Sequence, residues 1–131
     1  MKILVIQNRA IIGDKEKNFQ NIDRLLKDFE GEKTDLIILP ELFSTGWYPP
    51  VYPESFQVEE NSPTMNYLSE LARRFNSNVV GGSFVLKTDD GLKNTCPVFD
   101  RNGKLLAKYE KMHLFSHYKQ GEGDYSVSGK K

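Results

Sequence analysis

The chain has 131 residues, 38% hydrophobic and 27% charged, enough for one compact domain with its own core. Eighteen basic residues balance eighteen acidic ones, so there is no basic field to hold nucleic acid or an anionic membrane. No apolar run approaches the length of a bilayer span. The single cysteine, Cys96, excludes an internal disulfide and suits a reducing, cytoplasmic setting.

Residues 2–8 hold a short apolar run with no small-residue cleavage site, and read as a first strand rather than a signal peptide. Gly13-Asp14 is a turn, with Asp14 placed to cap a helix. Phe19, Ile22, Leu25, Leu26 and Phe29 then recur at helical spacing, and Gly31 stands where a C′ glycine belongs. The run Leu36-Ile37-Ile38-Leu39 is bounded and does not alternate, the pattern of a strand covered on both faces. Pro40 lacks an N–H and ends it. A right-handed crossover makes the first two strands parallel.

Residues 42–61 carry Gly46, Pro49, Pro50 and Pro53 among Phe43, Trp47, Tyr48, Tyr52 and Phe56, which predicts a long ordered loop. Its aromatics either serve a ligand or pin the loop to the surface. Ser62-Pro63 starts a second helix, with Met65, Leu68, Leu71, Ala72 and Phe75 as the buried stripe and a stop before Asn76. Residues 78–86 read as one strand with Gly81-Gly82 inside it, and paired glycines there suggest a bulge or a close backbone approach. Asp89-Asp90-Gly91 and Asp100-Arg101-Asn102-Gly103 are hairpin turns, leading into strands at 94–100 and 105–109. From Lys111 the chain becomes polar and loop-like, and residues 116–131 are expected to be its least ordered part.

Two positions carry chemistry. Glu41 follows the C-terminal end of a buried strand, where layered α/β proteins place their ligands. A carboxylate half-buried there is a candidate general base, the plainer alternative being a helix cap or a partner for a lysine. Lys111 follows the last strand, and an ammonium beside a carboxylate at one sheet edge supplies a cation to steady an oxyanion. His113 and His117 are four apart, but no third ligand accompanies them and their segment is not helical, so neither metal nor cofactor is expected. Cys96 reads as a small buried hydrophobe.

Leu39-Pro40-Glu41-Leu42-Phe43 followed by Thr45-Gly46, and Lys108-Tyr109-Glu110-Lys111-Met112-His113-Leu114-Phe115, resemble the glutamate and lysine motifs of the nitrilase superfamily of carbon–nitrogen hydrolases. Gly81-Gly82-Ser83, Asn94-Thr95 and Phe99-Asp100-Arg101-Asn102-Gly103 match the hairpins between those motifs in order and spacing. The forms around Phe43 and His113 are most similar to the omega-amidase branch. The resemblance covers nearly the whole chain, but only the N-terminal half of the family's pattern.

The resemblance implies an α/β fold, half of an α-β-β-α sandwich, with residues 1–131 as one partial domain. It implies hydrolysis of small amides by a Glu-Lys-Cys triad. Glu41 takes the role of base, Lys111 that of oxyanion stabiliser, and Glu122 that of a second glutamate downstream of the lysine. Phe43, Thr45 and His113 are the implied substrate-binding positions. The family's cysteine elbow has no counterpart in these 131 residues, and Cys96 occupies a strand position that is small and apolar in the family. The alternatives are a catalytically inactive binding or regulatory module, or a subunit completed by a separate C-terminal polypeptide. The expected partners are accordingly a small-molecule amide, and either further copies of the chain or a complementing C-terminal half.

Overall fold

The computed structural model describes residues 1–115 and 121–130. Among these, six strands form one sheet: β1 (Ile3–Val5), β2 (Leu36–Ile38), β3 (Asn78–Val80), β4 (Phe84–Thr88), β5 (Gly91–Phe99) and β6 (Leu105–Glu110). β1, β2 and β3 are parallel, in the register Leu4↔Ile37↔Val79. β5 runs antiparallel to β3, β4 and β6. β3 and β4 pair with successive stretches of the same side of β5, at Val98–Phe99 and Gly91–Thr95 respectively. The strand expected at 78–86 is therefore one path broken at Gly81-Gly82, where Gly82 has φ +57°. A Cβ on Gly82 would run into the Pro40 carbonyl oxygen, so the close backbone approach foreseen at this glycine pair is to the end of β2.

Helices α1 (Lys15–Leu26) and α3 (Pro63–Phe75) cover one face of the sheet. Asp14 caps α1 through the Lys17 N–H, and Ser62 caps α3 through the Met65 N–H, with Pro63 in the first turn. The α3 stripe is buried as expected. In α1 the inward row is Asn18, Ile22 and Leu26, at i, i+4 spacing, and Leu25 faces outward. Asn18 tolerates full burial because its side chain bonds the backbone of Ile11 and the Ser44 carbonyl.

The region 42–61 is more regular than a loop. The prolines start a 3₁₀ turn, Pro49–Val51, that runs into the short helix α2 (Tyr52–Ser55). A second small core of Leu42, Tyr52 and Val85 anchors it. Residues 121–130 are docked rather than loose: Glu122 is fully buried, and the N–H groups of Val127 and Gly129 donate to the carbonyls of Leu92 and Lys111. His117 and the rest of 116–120 lie outside the described residues.

Candidate active site

β2 and β6 run in the same direction, because each is related to β5 by one reversal through β3 or by direct antiparallel pairing. Their C-terminal ends therefore reach the same edge of the sheet. The chain leaves β2 through Leu39 and Pro40, and the next residue, Glu41, is held by what surrounds it. Leu42 has φ +50°, a strained value for a side-chain-bearing residue, and its N–H donates to Ser83 Oγ at 2.9 Å. On the other side, the Lys111 N–H donates to the Asn94 carbonyl at 2.9 Å, which fixes the exit from β6.

The side chains then meet. Lys111 Nζ donates to Glu41 Oε1 at 2.8 Å and to Glu122 Oε2 at 2.7 Å. Asn94 Nδ2 donates to the same Glu41 Oε1 at 2.9 Å and to Glu122 Oε1 at 3.0 Å. The Phe115 N–H donates to Glu122 Oε2 at 3.1 Å. Two carboxylates thus share one ammonium and one amide. They differ in exposure: the Glu41 side chain is 53% exposed, whereas that of Glu122 is 0%.

Burial opposes the charge on Glu122, yet Lys111, the Phe115 N–H and Asn94 outweigh it and hold its pKa below the ordinary carboxylate value. Burial likewise opposes the charge on Lys111, and the two carboxylates outweigh it and raise its pKa. The Tyr52 phenol is raised too, by burial first and then by the charges of Glu122 and Glu41.

A cleft of about 430 Å³ adjoins this network, lined by Glu41, Lys111, His113, Ser83, Cys96 and Tyr109 among others. Glu41, Lys111 and His113, singled out in the sequence, are brought together there, and Glu122 supports them from below. Phe43 and Thr45 are not part of it. Phe43 is fully buried in the main core, its ring 6.2 Å from Phe19 and 6.3 Å from Tyr67, and Thr45 is fully buried where the Gly13 N–H reaches its carbonyl. The turn after Glu41 directs them inward, where they anchor the loop. Cys96 is half-buried in the cleft wall rather than enclosed in the core, and burial pushes its thiol pKa up. A larger cavity of about 660 Å³, near the start of α1, contains none of these groups. No cluster of three or more His, Cys, Asp or Glu suited to a metal occurs among the described residues. None of their helices is long and apolar enough to cross a membrane.

Residues 2–130 match the family model for carbon-nitrogen hydrolase. The chain belongs to the carbon–nitrogen hydrolase family. An omega-amidase from Arabidopsis thaliana, described as chloroplastic, is 32% identical over 110 residues, 81% of this chain and 30% of that protein. The structure of Saccharomyces cerevisiae Nit3, a member of branch 10 of the nitrilase superfamily, superposes with a TM-score of 0.79 at 30% identity, over 100% of this chain and 49% of that one. A CN-hydrolase superfamily protein from Xanthomonas campestris, solved with an arsenic adduct in its active site, gives a TM-score of 0.85 at 26% identity, over 98% of this chain and 46% of that one. The chain spans about half the length of these solved relatives. The nitrilase-type fold expected from the sequence is therefore the fold of this carbon–nitrogen hydrolase chain.

One site residue, Asn94, was not singled out for its chemistry. The signal was partial: Leu92, Asn94, Cys96 and Val98 alternate along β5, and a lone amide within that apolar row needs polar partners, which the sequence does not identify.

Proposed function

We propose that residues 1–131 form a partial catalytic domain that hydrolyses small amides, of the kind implied by similarity to omega-amidases. The observation that carries this reading is Lys111 held between Glu41 and Glu122 at a cleft wall. In the proposed reaction Glu41 accepts the proton of a cysteine thiol as the sulfur bonds to the amide carbon. The Lys111 ammonium steadies the oxyanion that forms. The C–N bond then breaks, ammonia leaves with the proton returned by Glu41, and water hydrolyses the thioester. Glu122 keeps Lys111 charged and in place, and His113 faces the substrate at the cleft wall. No cofactor is called for.

The thiol in this scheme comes from a complementary C-terminal half, within the same polypeptide or as a separate one. Cys96 shares the cleft, but its raised pKa works against the thiolate a nucleophile needs. The single cysteine supports a reducing, cytoplasmic location, and the even charge balance supports a small-molecule substrate rather than a nucleic acid.

Ammonia release from short aliphatic amides tests the proposal. Residues 1–131 alone should give no turnover, and Cys96→Ala should change nothing. Together with the complementary half the chain should turn over. Glu41→Gln should then lower the rate by about two to four orders of magnitude with folding intact. Turnover by residues 1–131 alone that Cys96→Ala abolishes would make Cys96 the nucleophile. Turnover in neither preparation would leave an inactive binding or regulatory module as the reading.

A further inference from the structure

Asn94 lies in the middle of the charged network and is 2% exposed. Its backbone is fixed on both sides: it pairs with Val85 of β4, and its carbonyl accepts the Lys111 N–H. Its side chain makes two hydrogen bonds, both from Nδ2, one to each carboxylate. An amide NH₂ has two hydrogens, and here each has its own acceptor. The opposite amide orientation would set Oδ1 against two carboxylate oxygens with no proton between them, so the contacts themselves decide which end faces the carboxylates.

We infer that Asn94 is a positioning residue, a neutral fork that fixes the two carboxylates relative to each other and gives them different roles. Both hydrogen bonds to Glu41 fall on Oε1, one from Lys111 and one from Asn94. Two donors converging from separate, fixed backbone positions, Asn94 within β5 and Lys111 just past the end of β6, set the plane of a carboxylate that is otherwise half in solvent. A single rotatable ammonium does not. Oε2 is thereby left as the oxygen that takes a proton, which rests on the reading of Glu41 as the base. On Glu122 the arrangement differs. Asn94 takes Oε1, while Lys111 and the Phe115 N–H take Oε2, so both oxygens are occupied and Glu122 stays ionised. A second cation in place of Asn94 would also orient Glu41, but it would weaken the carboxylate as a base. A neutral amide orients it without adding charge.

The test is a pH titration by NMR of the 131-residue chain as purified, alone or self-associated, labelled with ¹⁵N and with ¹³C in the glutamate carboxyls. The Nδ2 proton of Asn94 that faces Glu122 should move with the Glu122 carboxyl as the pH falls. Glu122→Gln should abolish that movement, and Glu41→Gln should displace the resonance of the other Nδ2 proton at neutral pH. Asn94→Leu, of similar size but without donors, should move the Glu122 titration up, because one of the hydrogen bonds that hold it down is lost. A merely space-filling role would leave that titration in place. An Nδ2 proton that ignores its carboxylate, or an unmoved Glu122 titration in folded Asn94→Leu, overturns the inference. If Asn94→Leu does not fold, the unmutated chain decides through the Asn94 amide proton that faces Glu122. Failure here would leave Glu41 standing as the base, which turnover of Glu41→Gln tests separately.

Discussion

At the scale of single residues, the pair Lys111–Glu122 ties the site to stability. Glu122 has a folded pKa below its ordinary 4.5, so its contribution is complete above that value and is lost as pH falls through the folded value. Lys111 has a folded pKa above its ordinary 10.5, so its contribution is complete below that value and is lost as pH rises through the folded one. Lys111→Met should reverse the acid side of this profile. Without the ammonium, burial and the nearby Glu41 charge raise the Glu122 pKa, and at neutral pH an uncompensated buried carboxylate costs roughly 3–5 kcal/mol. As the pH falls Glu122 takes up a proton and the loss shrinks. Denaturant midpoints at pH 7 and pH 4.5 should therefore draw together in the variant relative to the unmutated chain. A loss that stays constant with pH would mean that Glu122 does not titrate against Lys111. Glu41 and Lys111 were legible in the sequence because each follows a recognisable strand end within a specific motif. Asn94 was not, because its partners lie 53 and 28 residues away, on segments that only the folded sheet brings to it.

At the scale of elements, the helices were readable because their caps and stripes are local: Asp14, Ser62 and the row from Met65 to Phe75 act within a few residues of themselves. The strand at 78–86 was readable as a path but not as two pieces, because the break is imposed by Pro40 approaching from β2. The same approach makes Gly82 a positioning element for Glu41. Gly82→Ala would require a Cβ at φ +57°, pressed against the Pro40 carbonyl oxygen and 2.9 Å from that of Leu39. Neither backbone group can swing aside as a side chain would. The substitution should cost more than about 2 kcal/mol and displace Glu41 from Lys111. Gly123→Ala, where a Cβ meets nothing within 4 Å, should change stability by less than about 0.5 kcal/mol. Urea midpoints of the two variants give the comparison, and equal midpoints would remove the steric argument. The composition of 42–61 reads as one long loop, whereas all three of its prolines, Pro49, Pro50 and Pro53, stand in the first turns of short helices.

At the scale of the whole molecule, the decisive feature is the sheet face opposite α1 and α3. Register places Ile3, Val5, Leu36, Ile38, Val80, Cys96, Val98, Ala107 and Tyr109 on it, nearly all apolar. Their partners one residue away, such as Leu4, Ile37, Val79 and Phe99, are packed under the helices. Val5 is 70% exposed and Tyr109 52%. The cleft shares this face, since Val80, Cys96 and Tyr109 also line it, so whatever covers the sheet also closes the site. Each large side chain removed from water there is worth roughly 1.5–3 kcal/mol, a strong drive toward a covering layer. The 131-residue chain alone should therefore self-associate through this face, or bind a hydrophobic dye as a loosely packed species. Val5→Lys with Tyr109→Lys, two charges set on the open face far from the helices, should return it to a monomer and lower dye binding without disturbing the helical signal. Light scattering across a concentration series, with dye fluorescence on the same samples, measures both. A concentration-independent monomer that melts sharply and binds no dye would show that the face is stable in water and needs no covering layer.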